Sequence, residues 1–291
     1  MASAAFHLIN KEAKRELKVN FNNETLPFCS EPKYLGVTLD RSLTYRRHLE
    51  SLRKKLTSLL RRLAGSGWGA GATTLRTATL ALVHSTAEYC APAWCRNAHT
   101  RLIDPTINDA LRIVTGCLRP TPADNLPILA GTQPAELRRS GATLSLARCA
   151  MEIGYLLPSA LTRELSADAL RLTSRHPFVP AAQHLICSSD SNNICAVQCA
   201  HHQWNAEWSD NPTRLRILIP HTGTHTPEMT LPRRAWVRLK CLRTGVGRFR
   251  SCLYRFGMAS SVACERVAEE QTVDTLSSNV QSINLFMDCM A

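Results

Sequence analysis

Along this chain the spacing of apolar positions moves from a short strand-like opening to a helical repeat. Over residues 18–39 the pattern predicts strand, turn, strand. Lys18-Val19-Asn20-Phe21 runs into the turn-prone Asn22-Asn23-Glu24, Thr25-Leu26-Pro27-Phe28 follows, and Lys33 to Leu39 closes the unit. Tyr34, Val37 and Thr38 favour extended backbone, and Gly36 admits a close neighbour. Strands this short are not stable alone in water, so the unit needs the helices that follow.

From Thr44 onward the period becomes helical. Leu49, Leu52, Leu56, Leu59, Leu60 and Leu63 form one stripe, and Gly65-Ser66-Gly67 ends it. Three further helices are predicted. Residues 73–90 carry Leu75, Ala78, Leu82, Val83 and Thr86 and end at Pro92. Residues 104–118 carry Ile107, Ala110, Leu111, Val114 and Leu118. Residues 134–151 start at Pro134 and carry Leu137 and Leu144. Gly- and Pro-containing loops join them into a small helical bundle. Residues 158–231 are rich in Pro, Ser, Asn and His and lack a sustained period. Short helices are expected there at Leu161–Leu172 and Ile194–Trp208. Beyond them, Pro232 and Gly245 frame a helix with Trp236, Leu239 and Leu242, and a second stripe of Phe249, Cys252, Leu253 and Phe256 ends at Gly257. The expected fold class is mainly α: a short β-hairpin unit, a helical bundle, and a loosely ordered, partly helical C-terminal region.

Composition narrows the function classes. The 291 residues hold 44% apolar and 20% charged side chains, an ordinary globular mixture. No run approaches the ~20 apolar residues of a membrane span. The N-terminus lacks the pattern of a secretory signal, so the expected compartment is cytoplasmic or nuclear rather than secreted, and the 12 cysteines are expected as reduced thiols. No repeat is visible, and no membrane partner is expected.

The formal charge of +12 is concentrated in two places. On the first long helix, Arg46, Arg47, Arg53, Lys54, Lys55, Arg61 and Arg62 face only Glu50. Between residues 233 and 255, Arg233, Arg234, Arg238, Lys240, Arg243, Arg248, Arg250 and Arg255 face no acid at all. Together these stretches exceed the whole net charge, which leaves the remainder slightly acidic. Cations without alternating acids point to phosphate contact rather than to a salt-bridged surface. The expected partner is therefore RNA or DNA backbone, without sequence preference. Cys187, Cys195, Cys199, His201 and His202, with His221 and His225, include zinc-type ligands. Their spacing matches no zinc motif, and chance clustering is the favoured reading.

Three segments in order now show a resemblance. Pro32-Lys33-Tyr34-Leu35-Gly36-Val37-Thr38-Leu39-Asp40 resembles the Y-L-G-V/I-x-L-D stretch after the palm of non-LTR (LINE-type, jockey-like) retrotransposon reverse transcriptases. Ile107-Asn108-Asp109-Ala110-Leu111-Arg112 to Gly116, with Ala130-Gly131-Thr132-Gln133-Pro134 and Glu136-Leu137-Arg138-Arg139, is similar to their thumb. Leu231-Pro232-Arg233-Arg234-Ala235-Trp236 with Leu242-Arg243-Thr244-Gly245-Val246-Gly247-Arg248-Phe249 is similar to their C-terminal R-L-R-T-G-x-G-R-F stretch.

The resemblance implies a palm remnant with a primer-grip-like hairpin at 1–44 and a thumb-like bundle at 45–157. A connection at 158–231, a basic helical element at 232–276 and an off-family tail at 277–291 complete the division. It implies a nucleic-acid-binding set of Tyr34, Gly36, Arg46, Arg47, Arg53, Lys54, Lys55, Arg61, Arg62, Arg233, Arg234, Arg238, Arg243, Arg248 and Arg250. The family enzyme is an RNA-directed DNA polymerase that works with Mg2+ held by palm carboxylates, two of them in a Y-x-D-D turn. On this match Met1 follows the position of that turn, and no Asp-Asp pair occurs in the sequence. Two-metal phosphoryl transfer needs such carboxylates. The chain is thus expected to lack catalytic residues and cofactors. The family's C-terminal zinc motif is reduced to Cys264, since Arg266, Thr275 and Val280 replace the other ligands. Alternatives are a host-retained nonspecific binding module, or the C-terminal half of a split or truncated but active enzyme.

Overall fold

The computed structural model describes residues 2–7, 10–16, 18–66, 70–95, 97–152, 196–222 and 230–263. The helix expected at Leu161–Leu172, Cys187, Cys195, His225, the Cys264 segment and the tail at 277–291 lie outside the described residues. The chain is mainly helical, with two small antiparallel hairpins. It divides into two compact units. The first holds residues 1–62, 80–107 and 133–206, and the second holds 63–79, 108–132 and 207–291.

The first unit opens with the one-turn helix α1 (Asn10–Ala13) and two hairpins. Strands β1 (Asn20–Phe21) and β2 (Glu24–Thr25) pair Asn20 with Thr25 and Phe21 with Glu24. Strands β3 (Lys33–Tyr34) and β4 (Val37–Thr38) pair Lys33 with Thr38 and Tyr34 with Val37. Lys33 to Leu39, expected as one strand, thus folds back on itself. Both hairpins turn on two residues with positive φ, Asn22 (49°) and Asn23 (62°) in one and Leu35 (45°) and Gly36 (84°) in the other. Such turns match the right-handed twist of the flanking strands, and Asn and Gly adopt them readily. Leu35 does so at a cost that a hydrogen bond from Tyr89 offsets.

Helix α2 (Arg46–Ser66) starts from a loop organised by Asp40. Its carboxylate accepts from the Thr44 N–H and hydroxyl, both at 2.7 Å, and from the Ser42 hydroxyl. Leu49, Leu52, Leu56 and Leu63 are buried, the stripe that the periodicity predicts.

The expected helix over 73–90 is broken. It comprises α3 (Ala72–Ala78), a π-helical stretch (Thr79–His84) and α4 (Ser85–Glu88). The wider π turn shifts the register: Thr79, Val83, His84 and Ala87 are buried, while Leu82 is exposed. Pro92 does not end this run. It sits near the start of α5 (Ala91–Trp94), after Cys90 takes a left-handed φ of 53°.

A 3-10 turn (Thr100–Leu102) leads to α6 (Asp104–Thr115). Gly116, at φ 71°, ends α6 before Pro120 is reached, and Leu118 is left exposed. The unpredicted α7 (Asn125–Ala130) follows, then α8 (Ala135–Glu152).

In the first unit α8 is tied by two ion pairs. Arg139 meets Asp104 at 3.0 Å, and Arg138 grips Glu88, which also bonds the buried His84 at 3.1 Å. Burial pushes the Glu88 carboxyl up, but His84 and Arg138 together outweigh it and hold it below the usual carboxylate range.

Helix α9 (Ala196–Ser209) brings buried Trp204 to the first unit and buried Trp208 to the second, where the Trp208 indole N–H donates to Ile219 O at 2.8 Å. The second unit adds α10 (Arg214–Leu218), α11 (Arg233–Thr244) and α12 (Arg250–Arg255). Trp236 is fully buried against Ala72, with Val237 beside it, and Phe249 and Cys252 form a second cluster with Leu242 and Phe256. Arginines close two helix ends in this unit. Arg76 donates to Ala130 O and Gly131 O at the end of α7, and Arg233 donates to Ile113 O and Val114 O at the end of α6. A guanidinium there satisfies orphan carbonyls and complements the negative end of the helix dipole.

Candidate nucleic-acid interface

The basic side chains of α2 fall into two groups. Arg46 and Arg47 both pair with Glu50, and Arg47 also reaches Glu31 at 3.0 Å, so the first turn carries neutralised charge. Hydrogen bonding from Arg46 holds the Glu50 carboxyl below its ordinary value. Arg53, Lys54, Lys55 and Arg61 are exposed along the rest of the helix, and Arg62, also exposed, makes an interaction within the protein. Lys54 to Arg61 and Lys55 to Arg62 are seven residues apart, two helical turns or about 10 Å. The helix therefore buries its leucines on one side and presents a row of cations on the other.

Charge in the second unit is largely spent on structure. Lys240 is fully buried with its Nζ 3.8 Å from the centre of the Trp236 ring, a cation–π contact. Arg233, half-buried, donates to the α6 carbonyls, and the Trp236 indole N–H donates to Val114 O at 3.3 Å. Burial holds the Arg233 guanidinium below its ordinary range. Arg238, Arg243 and Arg250 are half-buried, and each makes interactions within the protein. Arg234, Arg248 and Arg255 are exposed. A charge count could not separate these classes, because the partners are backbone carbonyls and an indole ring more than a hundred residues away or on the same helix.

Tyr34 and Leu35 stand at the tip of the β3–β4 hairpin, 67% and 70% exposed. Gly36 beside them has a close neighbour, the Tyr89 ring. A Cβ on Gly36 would lie 3.1 Å from Tyr89 Cε1. The Tyr89 hydroxyl donates to Leu35 O at 2.8 Å. The nearness expected of Gly36 is thus used inside the protein, while Tyr34 is exposed.

Below this hairpin lies a cleft of about 290 Å³ in the first unit. Its lining includes Lys33, His48, Ser51, Lys55, Thr86 and Tyr89. His48 is buried, its Nδ1 accepts from the Thr38 N–H at 3.4 Å, and Trp94 flanks its ring. Burial first, and the Lys33 charge second, hold His48 below its ordinary range. Sequence reasoning passed over His48, Ser51 and Thr86. Only the place of Ser51 and His48 four and seven residues before Lys55 on α2, or of Thr86 beside the π turn, could have drawn attention to them.

Two known proteins align with most of this chain. One, a retrovirus-related Pol polyprotein from the type-1 retrotransposable element R1 4 of Nasonia vitripennis, is 26% identical over 269 residues. That match covers 87% of this chain and 61% of the relative. The chain is related to the Pol polyproteins of R1 non-LTR retrotransposons. The second relative, a putative 115 kDa protein in the type-1 retrotransposable element R1DM of Drosophila melanogaster, is 23% identical, over 88% of this chain and 24% of its own length. The chain spans about three-fifths of one relative and a quarter of the other. No family model matches, and no solved structure does.

Within this retrotransposon-related chain, the motif residues that carried the resemblance have physical roles. Arg138 and Arg139 form the ion pairs that hold α8. Arg112 reaches Thr121 O at 3.2 Å, Asp40 organises the loop before α2, and Arg233 closes α6. Among the described residues no group of three or more His, Cys, Asp or Glu side chains is placed to hold a metal ion. Cys29, Cys90, Cys95, Cys117, Cys149, Cys241 and Cys252 are free thiols. Burial and the neighbouring Cys117 and Cys252 push the Cys241 thiol up to about 11, so it stays protonated and unreactive. No helix among the described residues is long and apolar enough to cross a membrane.

Proposed function

We propose that this retrotransposon-related chain grips nucleic-acid duplex through its phosphate backbone, without reading sequence and without extending a primer. The observation that carries this reading is the exposed cations Arg53, Lys54, Lys55 and Arg61 on a helix whose leucine stripe is buried. Clustered cations on one rigid helix are the electrostatic footprint of backbone binding, in which phosphate contacts set affinity and position. Arg234 and Arg248 on the second unit extend the same chemistry, and the exposed Tyr34 offers a ring to a base or sugar. Support also comes from the relatives, one of them by its name a Pol polyprotein.

The second half of the proposal rests on carboxylates. The sequence has no Asp-Asp pair, and Asp40 is committed to its own loop. In the family's Y-x-D-D turn such a pair serves to hold cations on the attacking and leaving oxygens. A primer–template duplex mixed with the purified chain, Mg2+ and deoxynucleoside triphosphates tests both halves at once. Fluorescence anisotropy should rise with protein while the primer keeps its length. Primer extension would overturn the non-catalytic half, and unchanged anisotropy would overturn the binding half.

A further inference from the structure

We infer that Ser58, on the exposed side of α2, is a phosphorylation site whose phosphate draws the neighbouring cations away from a nucleic-acid backbone. This rests on the backbone-binding reading and deepens it, by naming a device that releases the grip.

Position singles Ser58 out. It is exposed, and residues three and four apart on a helix lie side by side, with Cβ atoms about 5–6 Å apart. Lys54 and Lys55 stand four and three residues before it and Arg61 three residues after it, all three exposed. One hydroxyl is thus flanked by cations on its N-terminal and its C-terminal side. No acid occurs from Ser51 to Ser66, and Glu50, two turns away, is already paired with Arg46 and Arg47. Thr57 is less well placed, because its hydroxyl donates to Arg53 O at 2.9 Å. No such bond engages the Ser58 hydroxyl among the described residues.

The same cations address the site to an enzyme. Arg53-Lys54-Lys55-Leu56-Thr57-Ser58 places basic side chains five, four and three residues before the acceptor, a charge pattern that an acidic kinase cleft selects. In the transfer, Ser58 Oγ attacks the γ-phosphorus of ATP. An Oγ–P bond forms as the bond from that phosphorus to the β–γ bridging oxygen breaks, ADP leaves, and the hydroxyl proton passes to the kinase's catalytic carboxylate. The kinase acts on the form in which α2 is opened around Ser58, with Leu56 released from the core.

Once α2 closes again, the phosphoserine carries about two negative charges and three strong acceptor oxygens. Lys54, Lys55 and Arg61 donate to these in charge-assisted hydrogen bonds. About two of the positive charges of Arg53, Lys54, Lys55 and Arg61 are then offset within the helix, and the grip on a polyanion loosens.

The test has three readouts on the full chain. Incubation with Mg2+, ATP and either cyclic-AMP-dependent protein kinase or protein kinase C should place phosphate on Ser58, located by mass spectrometry, and S58A should abolish it. Phosphoserine installed at position 58 during synthesis should flatten the slope of log K against log salt for duplex by roughly two units, with affinity at about 0.1 M salt down roughly tenfold or more. S58A, at an exposed helical site, should bind duplex as the parent does. Phosphorus NMR should show the second pKa of that phosphate below its ordinary value of about 6, and K54Q/K55Q should bring it back up. No phosphate on Ser58 with either kinase, or phosphate on Thr57 alone, overturns the inference. An unchanged slope with phosphoserine installed does so as well. Duplex binding by a parent chain that is never modified at Ser58 keeps the backbone reading and removes the switch. Phosphate on Ser58 with a lowered pKa, on a chain that binds no duplex, removes the backbone reading and keeps the modification site.

Discussion

The Tyr89 hydroxyl donates to the Leu35 carbonyl at 2.8 Å, and through this bond α4 and its C-terminal turn hold the tip of the β3–β4 hairpin. The ring of the same tyrosine fills the space that Gly36 leaves by having no side chain. A four-residue hairpin is not stable alone, so this bond and contact fix where Tyr34 and Lys33 are presented.

Changing Gly36 to Ala should therefore destabilise the chain. Its φ of 84° disfavours a side chain, and the added Cβ would stand 3.1 Å from Tyr89 Cε1. The expected cost is about 1–2 kcal/mol. Y89F, which loses only the bond to Leu35, should cost about 0.5–1.5 kcal/mol. Urea midpoints measured on the three proteins check both, and a G36A midpoint equal to the parent would contradict the contact.

Arg233 and Arg234 are neighbours with the same charge and should behave differently. R233A leaves the Ile113 and Val114 carbonyls at the end of α6 without their donor and should cost about 1–3 kcal/mol. R234A, at an exposed site, should stay within about 0.5 kcal/mol of the parent in stability. Duplex affinity of R234A should nonetheless fall. Denaturation and anisotropy on the pair separate the two roles.

Stability should respond to acid in two windows. His48 has a folded pKa below its ordinary 6.5, so the unfolded chain takes up the proton first. Its contribution is complete above pH 6.5 and is lost as pH falls through the depressed folded value. Glu88, held below its ordinary 4.5, contributes above pH 4.5 and loses that contribution at lower pH. Denaturation midpoints taken from pH 8 to pH 3 should show both declines. H48Q should flatten the upper one and E88Q the lower one.

What could be read from the residues follows from what sequence patterns encode. The leucine stripe of α2 was legible because one face of a long helix is buried and the period is uninterrupted. The π turn at Thr79–His84 was not, since no residue type marks it, and α7 was hidden by Pro127 within six residues. Lys33 to Leu39 looked like one strand because Tyr34, Val37 and Thr38 favour extension. The fold at Leu35-Gly36 depends on Tyr89, 54 residues away. For the candidate interface, the sequence showed where cations are concentrated but not what each one touches. Arg47 meets Glu31, Arg233 meets α6 carbonyls, and Lys240 lies on Trp236. Those partners are set by tertiary packing, whereas Arg53, Lys54, Lys55 and Arg61 stand exposed on α2.

The salt dependence of duplex binding tests the central claim most directly. Each phosphate neutralised contributes about −0.9 to the slope of log K against log salt. The parent chain should give a slope of several negative units, and the R53E/K54E/K55E chain should be flatter by roughly three units with a much lower affinity. A flat slope, or a charge-reversed chain that binds duplex as tightly as the parent, would contradict the claim that α2 grips the backbone.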